Sequence, residues 1–374
     1  MIKLRPAGAN RWVPCPGSVQ LELAHPSNAP KHPTTEEGIA VAWACERTMM
    51  SWLPLNQLEP RTLAQYLGQA CPENGVVITE EMVYGGGAYI ESVWADAHTH
   101  IGGLRVEQQL SAHDWAEGLA GRADATWASY DRRHVAVRDL KWGHRPVAAF
   151  DNWQLTIYGL GMLSPDTETI DLIIVQPRDP RARNPVKTWP LTAAELRERG
   201  ETVREAAKLA RGENPPTRAG RHCLYCKAAG HCATLAAAGF GVMDTAGAAI
   251  DVEMDEPQIA YELEMMDRAE ALAKARRVGL EALAVSRIQT GHPVPGYGYR
   301  STLGNRQWAM PTAEVLAFGQ LMGADLAETK PASPAQATVR GIPKDTVDMF
   351  TTRRDGAPKL VRLDPAEARE AFKK

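Results

Sequence analysis

The segment His134-Val-Ala-Val-Arg-Asp139-Leu-Lys141-Trp-Gly143 decides how the rest of this chain is read. Its first part alternates as a β-strand does, with Val135, Val137 and Asp139 on one parity. Lys141 shares that parity, so an acid and an ammonium leave the strand on the same face. Upstream, Gly121-Arg-Ala-Asp124-Ala-Thr-Trp-Ala is a second strand candidate, and Leu104-Arg-Val-Glu107-Gln-Gln-Leu a third. Fifteen residues separate Asp124 from Asp139, the length of a hairpin, so two carboxylates and a lysine converge at one end of a sheet. A helix is expected over about 147–163. Thr169-Ile-Asp-Leu-Ile-Ile-Val-Gln follows, apolar enough to be a central strand. This β-β-β-α-β order predicts an α/β fold, a mixed sheet flanked by helices.

Two aspartates with open oxygen positions suit a hard divalent cation such as Mg²⁺ or Mn²⁺. A neighbouring lysine orients a water or stabilises charge on a phosphate. Metal-assisted phosphodiester hydrolysis needs this set of groups. Asp-x-Lys alone is more often a plain surface ion pair. Gln154 and Tyr158 sharpen the reading, because four residues apart on the next helix they share a face.

Gly121-Arg-Ala-Asp124, Val137-Arg-Asp139-Leu-Lys141-Trp-Gly143 and Asn152-Trp-Gln154-Leu-Thr-Ile-Tyr158 together resemble the core motifs of the PD-(D/E)XK nucleases. The nearest branch is the RecB-like one, with the iron–sulfur nucleases of CRISPR adaptation and the AddB-type helicase-nucleases. Within it the chain looks like a family of phage and prophage proteins. The resemblance covers most of the chain, including Arg11-Trp-Val-Pro-Cys15-Pro-Gly-Ser. It implies a restriction-endonuclease-like core with an N-terminal helical region and a C-terminal helical extension. It also implies that Asp124 and Asp139 hold the metal with the Leu140 carbonyl, that Lys141 positions the attacking water, and that Gln154 and Tyr158 orient the site. Glu107 is a candidate metal-side carboxylate, against a plain solvent-facing strand residue. The implied activity is exonucleolytic cleavage of double-stranded DNA ends in phage recombination, beside a single-strand annealing protein.

One position departs from the pattern. Such nucleases usually carry a metal-ligand histidine four residues after a glycine in an N-terminal helix. Here Gly38-Ile-Ala-Val-Ala42 places Ala42 there, and a methyl group ligates nothing. Three explanations compete: metal held by the aspartates alone, a weakly active or inactive DNA-binding scaffold, or a deliberate inactivating substitution.

The start of the chain shows no apolar leader, and no run approaches a membrane span, so the expected place is the cytoplasm, where thiols stay reduced. Cys223-x₂-Cys226-x₅-Cys232 then reads as metal or cluster ligation. A zinc site of three cysteines and a histidine (His222 or His231) is the generic reading. The resemblance instead implies a [4Fe–4S] cluster on Cys15, Cys223, Cys226 and Cys232. Cys45 and Cys71 read as small buried hydrophobes.

The formal net charge of −3 excludes a bulk-basic binder. Residues 178–222 nevertheless hold eleven Lys and Arg against six Asp and Glu. Arg133, Arg138, Arg145, Arg181 and Arg183 are the candidate phosphate contacts, with Arg178 and Lys187 beside them. Trp142, Trp153 and Trp189 read either as core or as stacking surfaces for unpaired bases. The expected division is an N-terminal helical region over 1–102, a nuclease core with the basic arm and cysteines over 103–235, and a helical extension over 236–374. Further helices are expected over about 35–50, 59–70, 80–99 and 193–211, and from 257 onward. An Ala-rich loop is expected over 234–250. The oligomeric state stays open. The rival functions are the DNA-binding scaffold and a zinc-bound structural protein with no nucleic-acid role.

Overall fold

A computed structural model describes residues 2–26, 33–53, 61–180, 182, 184–246, 255–300, 303–326, 334, 342–355 and 359–362. The chain divides into two compact units, Met1–Leu280 and Glu281–Lys374. The first unit begins with helices α1 (Ala9–Trp12), α2 (Ser18–Ala24), α3 (Pro33–Met50) and α4 (Glu80–Ala97). Strands β1 (Arg105–Ser111), β2 (Ala120–Ala128) and β3 (His134–Leu140) follow. Then come α5 (Trp153–Met162), β4 (Thr169–Val175), β5 (Val186–Thr192), α6 (Ala193–Arg211), α7 (Ala233–Ala246) and α8 (Glu256–Gln289).

The five strands form one mixed sheet in the order β1-β2-β3-β4-β5. Only β3 and β4 run parallel, and α5 makes the crossover between them. One face carries α1, α5 and α6 over Val135, Val137, Leu155, Leu172 and Leu196. The other carries α3 and α4 over Ala136, Ile173, Val175 and Tyr89. Local chemistry starts the helices where the site needs them. The Asn152 side chain accepts hydrogen bonds from Gln154 N (3.1 Å) and Leu155 N (3.2 Å), which caps α5 and makes Gln154 its second residue. Thr192 and Glu195 form a reciprocal capping box that opens α6.

Four expectations need correction. The helix over 59–70 is, in its described part, only a 3₁₀ turn at Leu63–Tyr66. The proline-punctuated arm contains β5, an edge strand in which Pro190 faces Asp171 across β4. An edge position tolerates the missing proline N–H. The Ala-rich stretch is, in its described part, helix α7, in keeping with the high helix propensity of alanine. The C-terminal unit is mixed rather than helical. It pairs β6 (Tyr297–Arg300) with β9 (Lys359–Arg362), and β7 (Leu303–Trp308) with β8 (Thr351–Asp355), around α9 (Thr312–Leu321) and α10 (Lys344–Met349). Among the described residues no helix is long and apolar enough to cross a membrane.

Candidate active site and cysteine cluster

The residues singled out in β2, β3 and α5 meet at the C-terminal end of β3. Asp139 is buried, and its two oxygens face different partners. Gln154 Nε2 donates to Asp139 Oδ1 at 2.9 Å, and Lys141 Nζ stands 2.6 Å from Asp139 Oδ2. Lys141 Nζ also donates to Gln154 Oε1 at 3.1 Å, and Tyr158 Oη lies 3.5 Å from Gln154 Nε2. The Lys141–Asp139 contact neutralises charge, and among the described residues the buried Oδ2 meets no donor other than Lys141. One strand over, Asp124 Oδ2 accepts the Leu140 N–H at 2.8 Å.

Glu107 completes the row. Extending the β1–β2 register sets it opposite Asp124, and extending β2–β3 sets Asp124 opposite Asp139. Glu107 adopts φ 51°, the left-handed region that costs a non-glycine residue energy. The sheet changes hands there. Val106 and Ala125 pack toward α3 and α4, whereas Leu110 and Ala123 pack toward α5 and α6. Strict alternation would hold Val106 with Leu110, and Ala123 with Ala125, on one side. Glu107 is half-buried and ion-paired to Arg122 at 2.6 Å, so it is not a plain solvent-facing strand residue.

Burial first, and the Asp139 carboxylate second, push Asp124 up to about 8. Burial raises Glu107 too, against the pull of Arg122. For Lys141 burial works against the charge, but Asp139 and Asp124 outweigh it and the ammonium is held above its usual value. Adjacent carboxylates resisting ionisation suit a hard cation. Among the described residues no group of three or more His, Cys, Asp or Glu is gathered closely enough to hold a metal ion as it stands.

Helix α3 packs on the other layer. A Cβ at Gly38 would stand 3.3 Å from Trp142 Cβ, and Glu46 is among the carboxylates that raise Glu107. Ala42 lies one turn from each, on the same stripe of the helix. Glu46 escaped the sequence reading, although the four-residue step from Gly38 through Ala42 leads directly to it.

The basic candidates scatter. Arg138 is buried, bound to Asp96 and to Ser92 Oγ (3.1 Å) on the α4 side. Strand alternation turns it away from Asp139, which corrects its assignment as a DNA contact. Arg133 is exposed but pairs with Glu168 at the opposite end of β3, roughly 20 Å from Asp139 by strand rise. Arg178 bridges Glu37 (2.6 Å) and Glu81 (3.0 Å) and stacks on buried Trp142. Lys187 is held by Asp179, Gln176 and the Val147 carbonyl. Arg145 is exposed on the loop that leads from Lys141 to α5. Arg181 and Arg183 lie outside the described residues.

The cysteines do come together. Cys15, Cys223, Cys226 and Cys232 line one small cavity, with His222 at its wall. Backbone N–H groups point at the sulfurs: Arg218 N to Cys15 (3.3 Å), Gly220 N to Cys223 (3.4 Å) and Leu235 N to Cys232 (3.4 Å). Gly17 makes this approach possible, because a Cβ there would stand 2.6 Å from the Pro215 carbonyl oxygen. Burial raises Cys15 and Cys223 and pushes Cys226 up to about 12. His222 Nε2 lies 2.9 Å from the Arg218 carbonyl oxygen, and His231 stacks on His25 at 3.9 Å. Cys45 and Cys71 are fully buried elsewhere.

Fold and site define a mixed α/β protein with a buried carboxylate–lysine centre and a separate four-cysteine pocket. The chain belongs to the family described as Protein of unknown function (DUF2800), whose model matches residues 2–367.

Proposed function

We propose that this protein is a Mg²⁺- or Mn²⁺-dependent deoxyribonuclease with a PD-(D/E)XK core, acting as an exonuclease on DNA ends. The observation that carries this reading is the arrangement of Asp139. It is buried between Gln154 and Lys141, has one oxygen held only by Lys141 among the described residues, and lies across from Asp124. Asp124 and Asp139, with Glu107 beside them, are the side chains that would hold the cation. A bound divalent ion supplies a Lewis acid and an activated water. Gln154 and Lys141, one on each oxygen, fix the orientation of the Asp139 carboxylate. Lys141 brings positive charge to where a phosphate would gain negative charge. The resemblance to phage nucleases supports a role in recombination, with a single-strand annealing protein as partner and the host cytoplasm as location.

The four-cysteine pocket supports a structural [4Fe–4S] cluster, with zinc as the alternative. Cluster sulfurs commonly receive backbone N–H donors, as three of these do. The group would tie the N-terminus to the segment that follows α6.

Ala42 favours one second reading, a weakly active or inactive DNA-binding scaffold, since it stands on the stripe of α3 facing the site. One assay separates the two. End-labelled linear DNA and closed circular DNA are incubated with the protein and Mn²⁺. Shortening of the linear molecule alone is the expected result, and binding without cleavage of either would establish the scaffold.

A further inference from the structure

A column of flat groups lies beside the site on the same face of the sheet. The Arg199 guanidinium sits between two indoles, 4.4 Å from the Trp153 centroid and 4.6 Å from that of Trp189. Asp151 pairs with Arg199 and holds the cation in place. Phe150 extends the column, 5.2 Å from the Trp189 ring at an interplanar angle of 57°. Phe150 is 72% exposed, so the column ends in an open aromatic surface. A phenylalanine held on a loop against one tilted indole, yet left in solvent, has a ring placed for another flat group.

The column's position says which group. Trp153 immediately precedes Gln154, and Phe150 lies on the loop that runs from Lys141 to α5. Trp189 pairs with Leu172, which pairs with Val137, two residues before Asp139. Strand spacing and rise put Trp189 roughly 12 Å from Asp139. The same loop carries exposed Arg145, a cation for a backbone phosphate.

We infer that Phe150, backed by the Trp189–Arg199–Trp153 column, is a stacking platform for an unpaired nucleobase of a strand reaching Asp139. The inference rests on the reading that nucleic acid enters this site, and it names the substrate: a DNA end with unpaired bases rather than a blunt duplex. Base–aromatic stacking tolerates any sequence, because every base has a π-face.

The test uses the full protein in EDTA, so that nothing is cleaved. The probe is a duplex with a short overhang carrying 2-aminopurine, whose fluorescence falls on stacking. Quenching is expected with the wild-type protein and with Phe150→Tyr. With Phe150→Ala it should be lost, together with roughly tenfold weaker binding of the overhang, the effect of removing one base–aromatic stack. The thermal transition should not move, since the side chain lies in solvent. Equal quenching by wild type and Phe150→Ala, or none by either, would overturn the platform. A change in sedimentation of Phe150→Ala without DNA would overturn it in favour of a second copy covering the ring. Cleavage of linear DNA is measured separately with Mn²⁺. Quenching without cleavage would defeat the nuclease reading alone, and cleavage without Phe150-dependent quenching would defeat the platform alone.

Discussion

Lys141 Nζ stands 2.6 Å from Asp139 Oδ2 because the two residues are two positions apart in extended chain at the end of β3 and both reach Gln154 of α5. A carboxylate oxygen accepts more than one contact, and among the described residues Lys141 is the only donor at this one. Asp139→Asn and Lys141→Ala should each lower Mn²⁺-dependent cleavage of end-labelled DNA by roughly 10²-fold or more, as for other groups placed where charge develops. Full activity in either variant, with unchanged circular dichroism, would remove this site from the chemistry.

Position 42 gives a gain-of-function test. An imidazole on α3, one turn from Glu46 and from Gly38, would add a ligand on the stripe facing Glu107 and the aspartates. Ala42→His should raise Mn²⁺-dependent cleavage. Equal rates in both proteins would show that this position lies outside the metal site.

The cysteine pocket links residue 15 to residues 223–232. Purified anaerobically, the protein should be brown and absorb near 400 nm, whereas a colourless protein with stoichiometric zinc would establish the other metal. Cys15→Ala or Cys223→Ala should abolish the absorbance. Either should also cost on the order of 3–5 kcal/mol, comparable to losing a cross-link that closes a long loop. Denaturant midpoints measure the second effect.

Arg138 provides a contrast with the candidate site. Arg138→Met leaves the Asp96 carboxylate without its buried partner, and should destabilise the fold by on the order of 2 kcal/mol or more. DNA affinity of the folded fraction should not change. A selective loss of affinity at unchanged stability would restore Arg138 as a DNA contact.

His134 supplies a pH test away from the carboxylates. The hydrogen bond that His134 Nε2 donates to Asp171 Oδ2, at 3.3 Å, raises the imidazole above its ordinary value. A raised histidine favours the folded state below the unfolded pKa of about 6.5, and that gain fades as pH rises through the higher folded value. The stability advantage of wild type over His134→Gln should therefore be larger at pH 5.5 than at pH 8.5. It should be modest, because both partners are about a third exposed. A constant difference across this range, from urea midpoints, would contradict it.

Much of the site was readable without coordinates. Parity placed Asp139 with Lys141, helical spacing placed Gln154 with Tyr158, and the capping residues Asn152 and Thr192 mark where α5 and α6 begin. These are properties of one strand or one helix, whose geometry is the same wherever it packs. The reading failed where a residue's fate depends on a neighbour distant in sequence. Arg178 and Lys187 look like free cations in a basic arm, yet each is held by carboxylates, Arg178 by two residues about a hundred positions or more away. Strand β5 was hidden by Pro190, which only an edge position permits.

The sequence by itself determined the repeating local geometry, and with it the face on which each chemical group stands. The tertiary structure alone decided how Glu107 takes a left-handed backbone and turns the sheet at Asp124. It also decided which charges are neutralised and which aromatic ring stays open to solvent. Long-range pairing sets those outcomes, because an ion pair or a stacked ring gains its energy only when chain folding brings the partner within a few ångströms.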